Sequence, residues 1–155
     1  MARICALLVI LSLSACGFEP VYGTGGAGTV LQNRVLVDKP DDRAGFFMVR
    51  RLEERLGRAS DPAFRLAIDL SVREESRAID PEGDIRRFHL IGAATYTLIE
   101  AGTGAEIQTD TVNNFVGYSA TGTTVATLAA RRDAQERLIN ILADEIVLKL
   151  QASSL

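Results

Sequence analysis

The clearest chemistry in the chain stands near its start, in Leu13-Ser14-Ala15-Cys16-Gly17, directly after an apolar run. A thiol preceded by small residues and followed by glycine, behind such a run, is the pattern of a lipobox. Cleavage before Cys16 frees that residue for acylation as the new N-terminus. Arg3 supplies a charged n-region, and the ten residues from Ile4 to Leu13 supply an h-region, within the about 7–15 residues usual for a signal peptide. The run is too short to cross a bilayer, which takes about 20 residues. Residues 1–15 are therefore expected to be a lipoprotein signal peptide, with Cys16 as the lipidated first residue of the mature chain. Cys5 leaves with the leader, so the mature chain holds no second thiol for a disulfide. Three acyl chains exceed the two signals that stable anchoring requires. Gly17, rather than Asp, after the cysteine favours transport to the outer membrane, facing the periplasm.

Other residues that could do chemistry are sparse. The lone histidine, His89, has the parity of a solvent-facing strand position, and no second His or free Cys can join it around a metal. Glu53-Glu54 and Glu74-Glu75 are adjacent pairs. In a strand such neighbours point to opposite faces, and in a helix they diverge by about 100°, so neither pair forms an acid–base dyad. Gly23 to Gly28 contains G-x-G-G-x-G, but a dinucleotide site needs a strand before it and a helix opening from it, and here a lipid anchor precedes. No nucleophile motif is present. An enzyme is not expected, nor is a cofactor or a metal. The remaining constellation is basic: Arg73, Arg77, Arg86 and Arg87 flank a turn at 80–84, and guanidinium forks suit phosphate. Asp80, Glu82 and Asp84 lie at the same tip and could neutralise them.

These residues need a scaffold, and the pattern supplies one. Removal of 15 residues from 155 leaves 140, enough for one domain with a real core. The loss of Arg3 moves the formal charge from −3 to −4. With no basic block, the domain is a poor match for nucleic acid. Residues 16–32 read as a lipidated N-terminus and glycine-rich tether, and 33–155 as a single domain. Arg34 to Asp38 reads as a short strand. Pro40-Asp41-Asp42 offers an N-cap to a helix ending at Leu56, with Met48, Val49, Leu52 and Leu56 on one face and Gly57 at its end. Phe47 falls off that stripe and is expected to be exposed.

Phe64, Leu66, Ile68, Leu70 and Val72 alternate with polar or small residues, the mark of a half-buried strand. Ile85 to Glu100 is the next strand, with Phe88, Leu90, Ala94, Tyr96 and Leu98 to one side. A hairpin at 101–104 leads to a strand from about Glu106 to Tyr118, whose weak alternation reads as a sheet edge. The last element is a helix from about Val125 to Leu150. Leu128, Leu138, Ile139, Leu142, Ile146 and Leu150 form its main apolar stripe. Asp133, Glu136, Arg137, Asn140 and Asp144 form a polar arc. A lesser stripe of Ala130, Ala134, Ile141 and Leu148 is expected to meet the first helix. Glu145 and Lys149 stand at pairing distance, four residues apart. The fold class is α+β: a two-layer sandwich, β-α-β-β-β-α, with a four-stranded mixed sheet and two helices on one face.

The opening Cys16-Gly17-Phe18-Glu19-Pro20-Val21-Tyr22 behind a lipobox resembles the start of the lipopolysaccharide-assembly lipoproteins, the LptE family. The element order, the length, and the stretches Tyr96-Thr97-Leu98, Val116-Gly117-Tyr118-Ser119-Ala120, Ala129-Ala130 through Arg137-Leu138 and Leu142-Ala143-Asp144-Glu145-Ile146 are similar as well, most of all to the α-proteobacterial branch. The resemblance implies an outer-membrane lipoprotein that plugs the β-barrel LptD, helps it assemble, and assists insertion of lipopolysaccharide into the outer leaflet. It implies direct lipopolysaccharide binding in some members, for which Arg73, Arg77, Arg86 and Arg87 are the candidate phosphate contacts. A different lipoprotein role stays open, that of a lipid-anchored periplasmic auxiliary subunit of a lipid-transport ABC system.

Overall fold

A computed structural model describes residues 27–39, 42–79 and 85–153. The lipobox, Cys16, the Cys-Gly-Phe-x-Pro-x-Tyr opening and the turn at 80–84 lie outside the described residues. The elements run α1 (Ala27–Leu31), β1 (Val35–Val37), α2 (Arg43–Leu56), β2 (Phe64–Ile79), β3 (Ile85–Glu100), β4 (Glu106–Ser119) and α3 (Thr124–Ala152). The strands lie in the order β1-β2-β3-β4. β1 pairs parallel with β2, as the helical crossover between them demands, and the other pairs are antiparallel. The α+β architecture and the edge position of β4 match expectation.

The helices start and stop where local chemistry directs. The Asp42 carboxylate accepts from Gly45 N at 2.7 Å, and the Thr123 hydroxyl accepts from Ala126 N at 3.2 Å. Gly57 closes α2 at φ 76°, donating its N–H to Glu53 O. A Cβ there would stand 2.0 Å from Asn33 Oδ1, so both backbone sign and space call for glycine.

α2 lies over β1 and β2, where Met48 and Val49 line a cleft with Val37, Ile68 and Leu70. α3 lies over β3 and β4 and beside α2. Gly92 makes the helix–sheet approach possible, because a Cβ there would sit 2.8 Å from Leu142 Cδ1 and 3.1 Å from Leu138 Cδ2. Between the layers lie Leu66, Ala94, Tyr96, Leu98, Leu138, Ile139, Leu142 and Ile146, all fully buried. The buried residues among those described are all apolar side chains, tyrosine included. Burying this surface at about 25 cal/mol per Å² drives the fold. Tyr96 keeps a partner for its hydroxyl, which accepts from Gln108 Nε2 at 2.9 Å.

Four expectations need correction. Ala27–Leu31, inside the expected tether, form α1, and Leu31 is fully buried in the core. Asn33 N donates to Leu56 O, which ties this segment to the end of α2. Second, Phe47 packs against the core under two guanidinium groups, Arg43 at 5.5 Å and Arg50 at 5.1 Å; its neighbour Phe46 is the exposed ring. Third, α2 meets the polar arc of α3 rather than the lesser apolar stripe. Arg50 pairs with Glu136, and Arg51 with Asp144 through two contacts of 3.1 and 2.9 Å. Ile141 and Leu148 are left exposed. Fourth, Glu145 and Lys149 bond to Asn114 and Asp110 of β4 rather than to one another.

Candidate functional site

The sheet has one face under the helices and one bare among the described residues. Strand alternation sorts the side chains. Arg65, Asp69, Ser71 and Arg73 of β2, Thr95 of β3, and Thr109, Thr111 and Asn113 of β4 stand exposed on the bare face. Cross-strand hydroxyl pairs knit its middle, Thr95 with Thr111 and Thr97 with Thr109, each at 3.0 Å.

Toward the β2–β3 turn this face becomes basic and aromatic. The register sets three rows across it: Arg73, Ile91 and Phe115; then Glu75, His89 and Gly117; then Ala78, Arg87 and Ser119. Arg77 sits in the irregular step between Ser76 and Ala78. Glu75 receives Arg73 Nε at 3.2 Å and an Arg77 guanidinium nitrogen at 2.9 Å. Among the described residues, three guanidinium groups thus share a face with one carboxylate there. Arg73, Arg77 and Arg87 are all exposed. The His89 ring stacks on Phe115 at 5.1 Å and 22°. A cleft of about 310 Å³ opens between Arg77, His89, Ile91, Asn113, Asn114 and Phe115.

Of the four arginines singled out from sequence, Arg73 and Arg77 converge on Glu75 and Arg87 lies on the same face. Arg86 has its backbone in β3, and its side chain lies outside the described residues. The adjacent acids Glu74 and Glu75 do point to opposite faces. On the helix side Glu74 accepts from Arg131 Nε at 2.6 Å and takes a hydrogen bond from the Tyr118 hydroxyl. Burial first, then Glu74, raises the Tyr118 phenol above its ordinary range. Sequence reading missed the apolar wall of Ile91 and Phe115. Ile91 shares the parity of His89 within β3, but Phe115 stands on another strand, and only the register brings it to the same face.

Chemically this end of the sheet can bind an anion beside an apolar wall. Phosphate accepts guanidinium forks in two parallel bonds, and Phe115, 59% exposed, gives aliphatic carbon a surface. Among the described residues, no three His, Cys, Asp or Glu side chains gather as metal ligands.

Comparison with known proteins fits this architecture. The family described as LptE, lipopolysaccharide-assembly, matches residues 32–150. A Caulobacter crescentus chain described as a lipoprotein superposes with a TM-score of 0.65 at 27% identity, over 81% of this chain and 92% of its own. Rare lipoprotein B from Shewanella oneidensis superposes at 0.58 with 16% identity, over 76% and 91%. A minor lipoprotein from Acinetobacter baumannii gives 0.55 at 18% identity, over 77% and 89%. The latter two, at such identity, speak to the fold. No curated protein matches the chain in sequence. The family match spans nearly all of the folded domain, so the chain belongs to the LptE family of lipopolysaccharide-assembly lipoproteins, which are not enzymes.

Proposed function

We propose that this lipopolysaccharide-assembly protein works at the outer membrane, held by lipid on Cys16, and plugs the lumen of the β-barrel LptD, where it helps the barrel assemble and assists delivery of lipopolysaccharide to the outer leaflet. The observation that carries this reading is the family match across residues 32–150. The bare sheet face supports it. Its threonines, Ser71 and Asn113 suit the polar interior of a large barrel. At the turn end, Arg73, Arg77, Arg86 and Arg87 would receive the phosphates of lipid A, and Phe115 with Ile91 would lie along an acyl chain.

The test is a pull-down of the C-terminally tagged full chain from detergent-solubilised outer membranes, with mass spectrometry of the bound proteins. Recovery of a large outer-membrane β-barrel in near one-to-one amount is the expected result. Recovery of ABC-transport components, or of nothing, overturns the plug reading, and the first of these favours the auxiliary-subunit role. Glu substitutions at Arg73, Arg77, Arg86 and Arg87 should then weaken retention of lipopolysaccharide on the immobilised protein while leaving barrel recovery intact.

A further inference from the structure

The two edges of the sheet differ in exposure to strand addition. β1 is three residues long and offers an incoming chain little to pair with. β4 is fourteen residues long and runs the length of the domain. Which of its backbone groups face outward follows from the register. Glu100 N donates to Ala105 O across the β3–β4 hairpin, and Ala101 N donates to Ala63 O on the β2 side. Because backbone groups alternate in direction along a strand, even-numbered residues of β3 face β4 and odd-numbered ones face β2. Tyr96 lies opposite Asp110, Ala94 opposite Val112, and Gly92 opposite Asn114. Even-numbered residues of β4 therefore bond to β3. The amides of Thr109, Thr111, Asn113, Phe115 and Gly117 point away from the sheet.

Two of these outward amides are already committed. Thr111 N donates to Asp110 Oδ1 at 2.7 Å, and Phe115 N donates to Asn114 Oδ1 at 2.8 Å. Neither acceptor holds its position alone. Lys149 donates to the other carboxylate oxygen of Asp110, and Asn114 Nδ2 donates to Glu145 Oε1 at 2.7 Å. The two acceptors are four residues apart on β4, and their holders are four apart on one face of α3, with the long Glu145 and Lys149 side chains spanning the difference in rise. Without such cover the edge would attract a partner strand. Phe115 and Ile107 are exposed on β4, and Ile141 and Leu148 flank Glu145 on the helix.

We infer that Asp110 and Asn114 are edge guards: α3 holds their side chains over the outward amides of Thr111 and Phe115 and so closes β4 to pairing with a second copy of this chain. An incoming strand needs the outward amides of successive alternate residues as donors. With two of them committed in mid-strand, it must displace acceptors that an ammonium and a carboxylate keep in place.

The experiment is residue-resolved amide hydrogen exchange on the full lipoprotein in detergent, with light scattering for oligomeric state. In Asn114→Ala, exchange at Phe115 should rise about fivefold, the worth of one net hydrogen bond, while Thr111 keeps its rate. Asp110→Ala should do the reverse. The double variant should dimerise as its concentration is raised. Unchanged exchange at both amides overturns the inference, and so does a double variant whose amides open but which stays monomeric. Should the double variant fail to fold, Glu145→Ala and Lys149→Ala release the same two caps without altering β4. Their expected result is faster exchange at Phe115 and Thr111, respectively, and wild-type rates at both overturn the inference as well.

Discussion

The two faces of the sheet are built from the same strands and answer to different surroundings. Under the helices, Leu66, Ala94, Tyr96 and Leu98 are fully buried and belong to one apolar cluster with Leu138, Leu142 and their neighbours. One residue along, the side chains turn to the other face, where Thr95, Thr97, Thr109 and Thr111 bond to each other in the open. Toward the β2–β3 turn, arginines, His89 and Phe115 take over. The covered face is set by shape, since interiors are packed like crystals. The bare face is set by chemistry, since water accepts almost any polar side chain there. Stability should therefore be concentrated on one side of the sheet and binding on the other.

Four measurements can break or sharpen that contrast. The largest effect belongs to Leu138→Ala, which removes a fully buried side chain and should cost about 2–5 kcal/mol in denaturant titration. Its bare-face counterpart, Ser71→Ala, should fall within about 0.5 kcal/mol. Equal losses would mean that the bare face is as tightly packed as the covered one. Gly92→Ala comes next. Its new Cβ meets Leu142 and Leu138 well inside contact distance, so overpacking should cost about 1–3 kcal/mol and lower the melting temperature.

The third concerns pH. Burial, reinforced by Asp110, pushes the Tyr96 phenol up from 10.0 to about 12. The folded chain then holds this proton to higher pH than the unfolded chain. Its contribution is complete below about pH 10 and declines as pH rises toward about 12. Urea titrations across that window should show a fall that Tyr96→Phe flattens. A fall of equal depth in the variant would assign it to other groups. A small stability effect is expected for Arg73→Glu combined with Arg77→Glu, under about 1 kcal/mol because both side chains are well exposed. The same pair should lose lipopolysaccharide binding about tenfold or more, since two guanidinium contacts become repulsive. A loss confined to stability would remove the basic end from the binding surface.

Much of this was legible in the chain. The alternation from Phe64 to Val72, the Asp42 cap and Gly57 are local signals, each readable within a few residues. The basic cluster was legible as composition near a turn, because a hairpin brings residues on either side of it together. The wall of Ile91 and Phe115 was not, since a pairing 24 residues apart depends on register. Phe47 was misread for a similar reason. Its position on the wheel is marginal, and what covers it are guanidinium groups three and four residues away together with the core.

By itself, the sequence determined the strands and the two long helices, their order, the buried parity of β2 and β3 and the ends of α2 and α3, because propensity, capping and hydrophobic period act over one or two turns; α1, which the core holds through Leu31, it did not mark. Tertiary structure alone decided where the long-range polar side chains go. Glu136 and Asp144 turn to α2, Glu145 and Lys149 to β4, and Arg131 to Glu74. On an isolated helix these residues would solvate or pair with neighbours at four-residue spacing. Packing α3 into the angle between α2 and the sheet places distant partners nearer than local ones, and a charge bonds to the partner that the packing brings within reach.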